Sequence, residues 1–141
     1  MSTAEFYDQI SDVFNDTDLF NSCVLGETKE EFYDFLEKNF KEFETPNILD
    51  CGCGNGSFVD YLRSNNYSAF GVINSPKTYE IAIKKFPLAN IELDDMIKYM
   101  KNNIRKFDVI FAIQSFGYVN PYEFFESSYN SLNNNGVLII Y

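Results

Sequence analysis

Between Asn47 and Phe58 the chain reads N-I-L-D-C-G-C-G-N-G-S-F, and no other stretch narrows the possible folds so far. Ile48 and Leu49 form a short apolar run of the kind that ends a buried strand, and Asp50 closes it. Gly52, Gly54 and Gly56 then alternate, and Ser57 opens a segment whose Phe58, Val59 and Leu62 form one apolar side of a helix. A strand, a glycine turn and a helix in that order make the ligand cleft of an open α/β sheet, at the carboxyl end of a strand. Glycine suits such a turn because it reaches positive φ without strain and lets a ligand lie against the backbone.

The spacing selects among ligands. A dinucleotide fingerprint, G-x-G-x-x-G, would need glycine at position 57, where Ser57 stands. A phosphate-binding loop would need Gly-Lys-Ser/Thr, which is absent.

The rest of the chain alternates helix and strand signals. Phe6, Ile10, Val13 and Phe14, with Tyr7 beside them, predict a helix over residues 4–14, followed by a loop over 16–26. Thr28 with Glu31 has the spacing of a capping box. The helix it opens carries Phe32, Phe35, Leu36, Phe40 and Phe43 to about Glu44, where Thr45-Pro46 stops it. After the glycine turn comes a helix from Ser57 to about Asn65, then a strand over Ala69-Phe70-Gly71-Val72. Ser75-Pro76 opens a helix with Tyr79, Ala82, Ile83 and Phe86 on its apolar face, ended by Pro87. Asn90 to Leu93 reads as a strand, and Asp94 or Asp95 caps a helix with Leu93, Ile97, Met100 and Ile104 on one face. Phe107 to Ile113 is the most strand-like run. Asn120-Pro121, with Glu123, caps a helix carrying Tyr122, Phe125, Tyr129 and Leu132. Asn133-Asn134-Asn135-Gly136 reads as a turn with Gly136 at a helix C-cap, and Val137 to Tyr141 as a last strand. Such alternation means an α/β fold, a mainly parallel five-stranded sheet with helices on both faces. We expect an N-terminal helix and loop over residues 1–27 and one cofactor-binding domain over 28–141.

Composition bounds the partners. A net charge of −10 repels a phosphate backbone and so disfavours nucleic acid. Apolar runs are too short to span a membrane, and Met1 to Glu5 lacks the features of a secretory signal. Three cysteines, Cys23, Cys51 and Cys53, with no such signal, predict reduced thiols and a cytoplasmic protein. Cys51-x-Cys53, without histidine or a second cysteine pair, makes no metal site, so no metal is expected.

An acidic residue followed by G-x-G-x-G, here Asp50, Gly52, Gly54 and Gly56, resembles the first motif of the Rossmann-like S-adenosylmethionine-dependent methyltransferases. The resemblance extends from about residue 28 to 141. Phe107-Asp108-Val109-Ile110 is similar to that family's fourth strand, and Ser131 to Ile140 to its turn into the fifth. Gly71-Val72-Ile73-Asn74-Ser75 and Ala112-Ile113-Gln114-Ser115-Phe116-Gly117-Tyr118 resemble segments of the cyclopropane-fatty-acid-synthase-like and small-molecule branch. The family implies strand order 3-2-1-4-5, S-adenosylmethionine as cofactor and in-line methyl transfer to a small-molecule acceptor.

The resemblance also implies cofactor-binding residues: Asp50, Gly52, Cys53, Gly54 and Gly56 at the turn, Asn74 and Ser75 after strand two, Asp95 and Met96 at the adenine, and Gln114 after strand four. The chain departs from the family where Ile73 replaces the usual acidic partner of the ribose, where Gln114 replaces a carboxylate, and where Tyr118 replaces histidine. Tyr7, Tyr118 and Glu123 are the candidates for holding the acceptor or taking its proton. The family fold normally continues past strand five, so Val137 to Tyr141 would lie at an open edge that invites pairing. Three arrangements follow: a homodimer covering the edge, one half of a split enzyme completed by a partner chain, or a cofactor-binding, non-catalytic remnant.

Overall fold

The computed structural model describes residues 1–16, 29–40 and 43–141, apart from the side chains of 12–16, 29, 30, 32 and 33. The expectations for Val13, Phe14, the 16–26 loop, Cys23, Thr28 and Phe32 lie outside the described residues.

Helix α1 spans Thr3–Asp16 and α2 spans Lys29–Phe40. The core then alternates: β1 Asn47–Cys51, α3 Ser57–Ser64, β2 Ser68–Ile73, α4 Pro76–Lys85, β3 Ile91–Leu93, α5 Met96–Asn102, β4 Phe107–Ala112, α6 Pro121–Ser131 and β5 Leu132–Ile140. A 3-10 turn, Phe116–Tyr118, links β4 to α6. All pairings are parallel and the sheet order is β3-β2-β1-β4-β5, as expected from the sequence.

Period two along the strands sends alternate side chains to opposite faces. Ile48, Val109 and Phe111 pack with Leu36 and Phe40 of α2, Phe58, Val59 and Leu62 of α3, and Ala82 of α4. Leu49, Ile110 and Ala112 pack on the other face with Tyr99 and Met100 of α5 and Phe124 of α6. Helices therefore cover both faces of the sheet, which gives the three-layer α/β sandwich.

Local chemistry starts the helices where expected. Ser75 caps α4 by accepting from the Thr78 amide, with Pro76 at the first helical position. Asp95, rather than Asp94, caps α5 by accepting from the Ile97 and Lys98 amides. Asn120 caps α6 by accepting from the Tyr122 and Glu123 amides.

Several faces and ends differ from expectation. In α6 the buried residues are Phe124, Ser127, Ser128 and Ser131, whereas Tyr122 and Tyr129 are 86% and 81% exposed. The serines win because they are small. They bring α6 close to α5, where Ser131 Oγ donates to the Met100 carbonyl at 3.2 Å. Leu132 has left the helix and begins β5. Helix α5 ends at Asn102, so Ile104 falls off its face and is 97% exposed. Ile83 and Leu93 are also exposed, and Phe43 and Glu44 are no longer helical.

The asparagine run is not a turn between helix and strand. Residues Asn133 to Gly136 bulge out of β5 between the Phe107–Leu132 and Val109–Val137 pairings. Asn135, not Gly136, takes the left-handed conformation, at φ +65°. Gly136 is needed for close approach instead: a Cβ there would lie 2.9 Å from the Asn133 carbonyl oxygen and 3.2 Å from that of Asp108. Asp108 holds both neighbours, accepting from the Asn133 side chain and from the Asn47 amide, each at 2.8 Å.

Candidate functional site

A cavity of about 350 Å³ opens at the carboxyl ends of the strands. Its position beside β1 and β4, where the strand order reverses, is where open α/β sheets bind ligands, and its size suits a small molecule.

Its floor is the glycine turn. Gly52, Gly54 and Gly56 have φ of +80°, +52° and +82°. At Gly52 a Cβ would lie 2.5 Å from Ser115 Cβ, so the turn can pack against the end of β4 only without a side chain. Ser115 Oγ donates to the Cys51 carbonyl at 2.5 Å, tying the two strand ends together. The Gly52 and Cys53 amides both donate to the Val72 carbonyl, fixing the turn to β2. Beyond Gly54 lies open space, where a ligand can approach the backbone.

Asp50, at the end of β1 before this turn, lines the cavity, is 4% exposed, and its carboxylate has neither hydrogen bond nor ion pair among the described residues. Burial alone pushes its carboxyl up to about 7 from an ordinary 3.8. A buried carboxylate with no partner is costly, and a cationic or hydrogen-bonding ligand would relieve it. Burial, then the nearby Asp50 charge, pushes the Cys51 and Cys53 thiols up, so both stay protonated.

The structure brings most of the sequence candidates together. Asp50, Gly52, Cys53, Gly54, Asn74, Asp95, Met96, Gln114, Tyr7 and Tyr118 all line the cavity. Asp95 uses Oδ1 for the α5 cap, so capping and facing the cavity coexist. Gln114 holds φ +53° at the end of β4, a strained position for a residue with a side chain, and its amide donates to the Tyr141 carbonyl at 2.6 Å. The Tyr7 and Tyr118 rings meet edge to face at 5.6 Å. Burial, followed by the hydrogen bond to Tyr118, raises the Tyr7 phenol well above its ordinary value.

Three candidates lie elsewhere. Gly56 caps α3, and a Cβ there would lie 2.5 Å from Ile91 Cδ1. Ser75 is fully buried, and its hydroxyl serves the α4 cap, Thr78 Oγ1 at 2.8 Å and Asp8 Oδ1 at 2.5 Å. Glu123 pairs with Lys101 at 3.1 Å on the exposed surface of α5 and α6.

Sequence reasoning missed the roof. Ser2, Thr3 and Ala4 line the cavity beside Tyr7, so α1 covers it. Asp8 fastens that helix, accepting from Ser75 Oγ and from the Lys77 amide at 3.1 Å, at the start of α4. Nothing in the local pattern of α1 marks Asp8, because its partners lie 67 and 69 residues away.

An open parallel sheet with a glycine turn in the floor of its cleft defines a Rossmann-like cofactor-binding domain. A family profile described as a methyltransferase domain matches residues 49–140, more than half of the chain. The chain belongs to this methyltransferase domain family. No curated protein matches it significantly. The plantazolicin methyltransferase BpumL, solved with a triazolic desmethylPZN analog and SAH, is similar at 28% identity and TM-score 0.68, over 93% of this chain and 51% of that one. A S-adenosylmethionine-dependent methyltransferase from Clostridium acetobutylicum shares the fold at 22% identity and TM-score 0.70, over 96% and 56% of the two chains. So does the sugar N-methyltransferase KedS8 from Streptoalloteichus, at 22% identity and TM-score 0.60, over 83% and 54%. The chain spans about half the length of these solved structures.

Proposed function

We propose that the chain binds S-adenosylmethionine and transfers its methyl group to a small-molecule acceptor. The observation that carries this is the buried Asp50 carboxylate, unpartnered among the described residues, on a cavity whose glycine turn faces open space at Gly54. When bound, the sulfonium cofactor supplies an electrophilic methyl group. Asp50 would receive its positively charged end, and the Gly52 to Gly54 backbone leaves room beside it. Asn74 and Thr78 offer hydrogen-bonding groups where the ribose partner is replaced by Ile73. Met96 and the free Asp95 oxygen would serve the adenine. Tyr7 and Tyr118, which line the cavity, would orient the acceptor. Catalysis by alignment alone is worth ~7–11 kcal/mol, so a chain without histidine can carry it.

The neighbour BpumL is solved in complex with a triazolic desmethylPZN analog and SAH, which supports a small organic acceptor. The net charge of −10 favours the same reading over nucleic acid. Among the described residues no helix is long and apolar enough to cross a membrane. The buried free thiols of Cys51 and Cys53 fit a reducing, cytoplasmic setting. β5 is an edge strand with Val137, Ile140 and Tyr141 exposed, and we read that edge as covered by a second copy or by a partner chain.

Calorimetric titration with S-adenosylmethionine and S-adenosylhomocysteine, alongside Asp50→Ala, tests the reading. Roughly micromolar binding that is lost in the variant is expected. A folded protein that binds neither ligand would refute it.

A further inference from the structure

Among the described residues the charged side chains on the cavity wall are Asp50 and Asp95. Among the described residues no lysine or arginine lines it, and the chain contains no histidine. Lys98, which lies close to Asp95 in the chain, directs its ammonium to Asp94 at 2.8 Å.

This wall sorts acceptors by charge. S-adenosylmethionine carries a single net positive charge, from its ammonium and sulfonium less its carboxylate. Set against two carboxylates, it leaves the cavity negative. A carboxylate, phosphate, phenolate or thiolate acceptor would enter with no counter-charge, at high cost in a partly buried site. An ammonium would be drawn in.

The wall also sorts acceptors by their need for a base. A hydroxyl must shed its proton as it attacks, and a positioned base contributes about 10²–10⁴-fold to such a step. Among the described residues none is poised here. Tyr7 is a half-buried phenol hydrogen-bonded to Tyr118, and burial raises it well above its ordinary value, so it stays protonated. Asp95 gives one oxygen to the α5 cap, and on the proposed reading its other oxygen serves the adenine and Asp50 the cofactor's cationic end, so neither is left for the acceptor. A free amine has its lone pair ready and needs no base in the transfer.

We infer that the accepting atom is an amine nitrogen, drawn in as an ammonium by the acidic cavity and methylated as the free amine. The inference rests on the proposed cofactor. The ammonium first loses a proton to water. The nitrogen lone pair then forms the N–C bond while the C–S bond breaks, and that electron pair stays on sulfur as the thioether of S-adenosylhomocysteine. The methylated ammonium product sheds its proton to water. The Tyr7 and Tyr118 hydroxyl oxygens accept from the N–H groups and hold the lone pair toward the methyl.

Matched probes test this: benzylamine, benzyl alcohol and benzoate, with hexylamine, hexanol and hexanoate as an aliphatic set. Binding is measured by calorimetry on protein saturated with S-adenosylhomocysteine, and transfer by mass spectrometry with labelled S-adenosylmethionine. The amines should bind about tenfold or more tightly than the carboxylates. They should be methylated roughly a hundredfold faster than the alcohols. Equal or tighter carboxylate binding, methylation of a hydroxyl at the amine's rate, or a cofactor-binding protein that neither binds nor methylates any amine would overturn the inference. Each of those results leaves the cofactor assignment standing. A protein that binds no cofactor removes the assignment and the inference together.

Discussion

Lowering the pH from about 8 to about 6 should weaken S-adenosylmethionine binding roughly tenfold, because Asp50 must give up a proton to receive a cation. Its carboxyl is 4% exposed and is pushed up to about 7 by burial alone. At about pH 6 only about a tenth of the free protein carries the ionised form, and one pH unit below a pKa corresponds to about 1.4 kcal/mol. Binding at that pH should release close to one proton, and at about pH 8 almost none. Calorimetry in two buffers of different ionisation enthalpy measures that release directly. The same shift acts on stability with a definite sign. A carboxyl raised from 3.8 to about 7 favours the fold while protonated. The free protein should lose stability as pH rises from about 4 to about 7, by an amount of order 4 kcal/mol at most, and no further above that. Asp50→Asn, which cannot ionise, should flatten both dependences and weaken cofactor binding. Proton release that is absent at about pH 6, or unchanged in Asp50→Asn, would refute the assignment of Asp50 to the cation.

Other expectations concern the frame around the site. Gly52→Ala places a Cβ 2.5 Å from Ser115 Cβ at φ +80° and should cost about 2–4 kcal/mol, whereas Gly54→Ala meets open space at φ +52° and should cost about 1–2, both read by thermal melts. Ser75→Ala removes the α4 cap and one Asp8 partner, costing about 1–2 kcal/mol, and should speed hydrogen exchange in α1; unchanged exchange would mean that the Asp8 contact does not hold the roof. Phe124→Ala should cost about 3–5 kcal/mol and Tyr129→Ala under about 0.5, so the reverse order in denaturant melts would place the wrong face of α6 against the sheet.

Local chemistry made much of the fold legible in the sequence. The glycine turn after Asp50, the Ser75-Pro76 and Asn120-Pro121 helix starts and the apolar strand runs each depend on backbone conformation and near neighbours in the chain. Their order was enough to give the parallel sheet and the floor of the cleft, while the strand order came from the family resemblance. The faces of the helices were less legible. Tyr122, Phe125 and Tyr129 have the spacing of a buried stripe, yet the two tyrosines carry a polar end that tolerates water, and serines pack where two helices come close.

What only the tertiary structure decided are the contacts made by polar side chains across long stretches of chain. Asp8 reaches Ser75, Ser115 reaches the Cys51 carbonyl, and Asp108 reaches the Asn47 amide, over separations of 67, 64 and 61 residues. A polar residue's local sequence is much the same whether it faces water or a distant partner, so its role appears only once the fold has brought that partner near. The sequence alone determined where the backbone turns and which strands are buried. Packing at a distance decided that α1 roofs the cavity, that Ser75 and Glu123 stand outside it, and that Asp50 is left on its lining without a partner among the described residues.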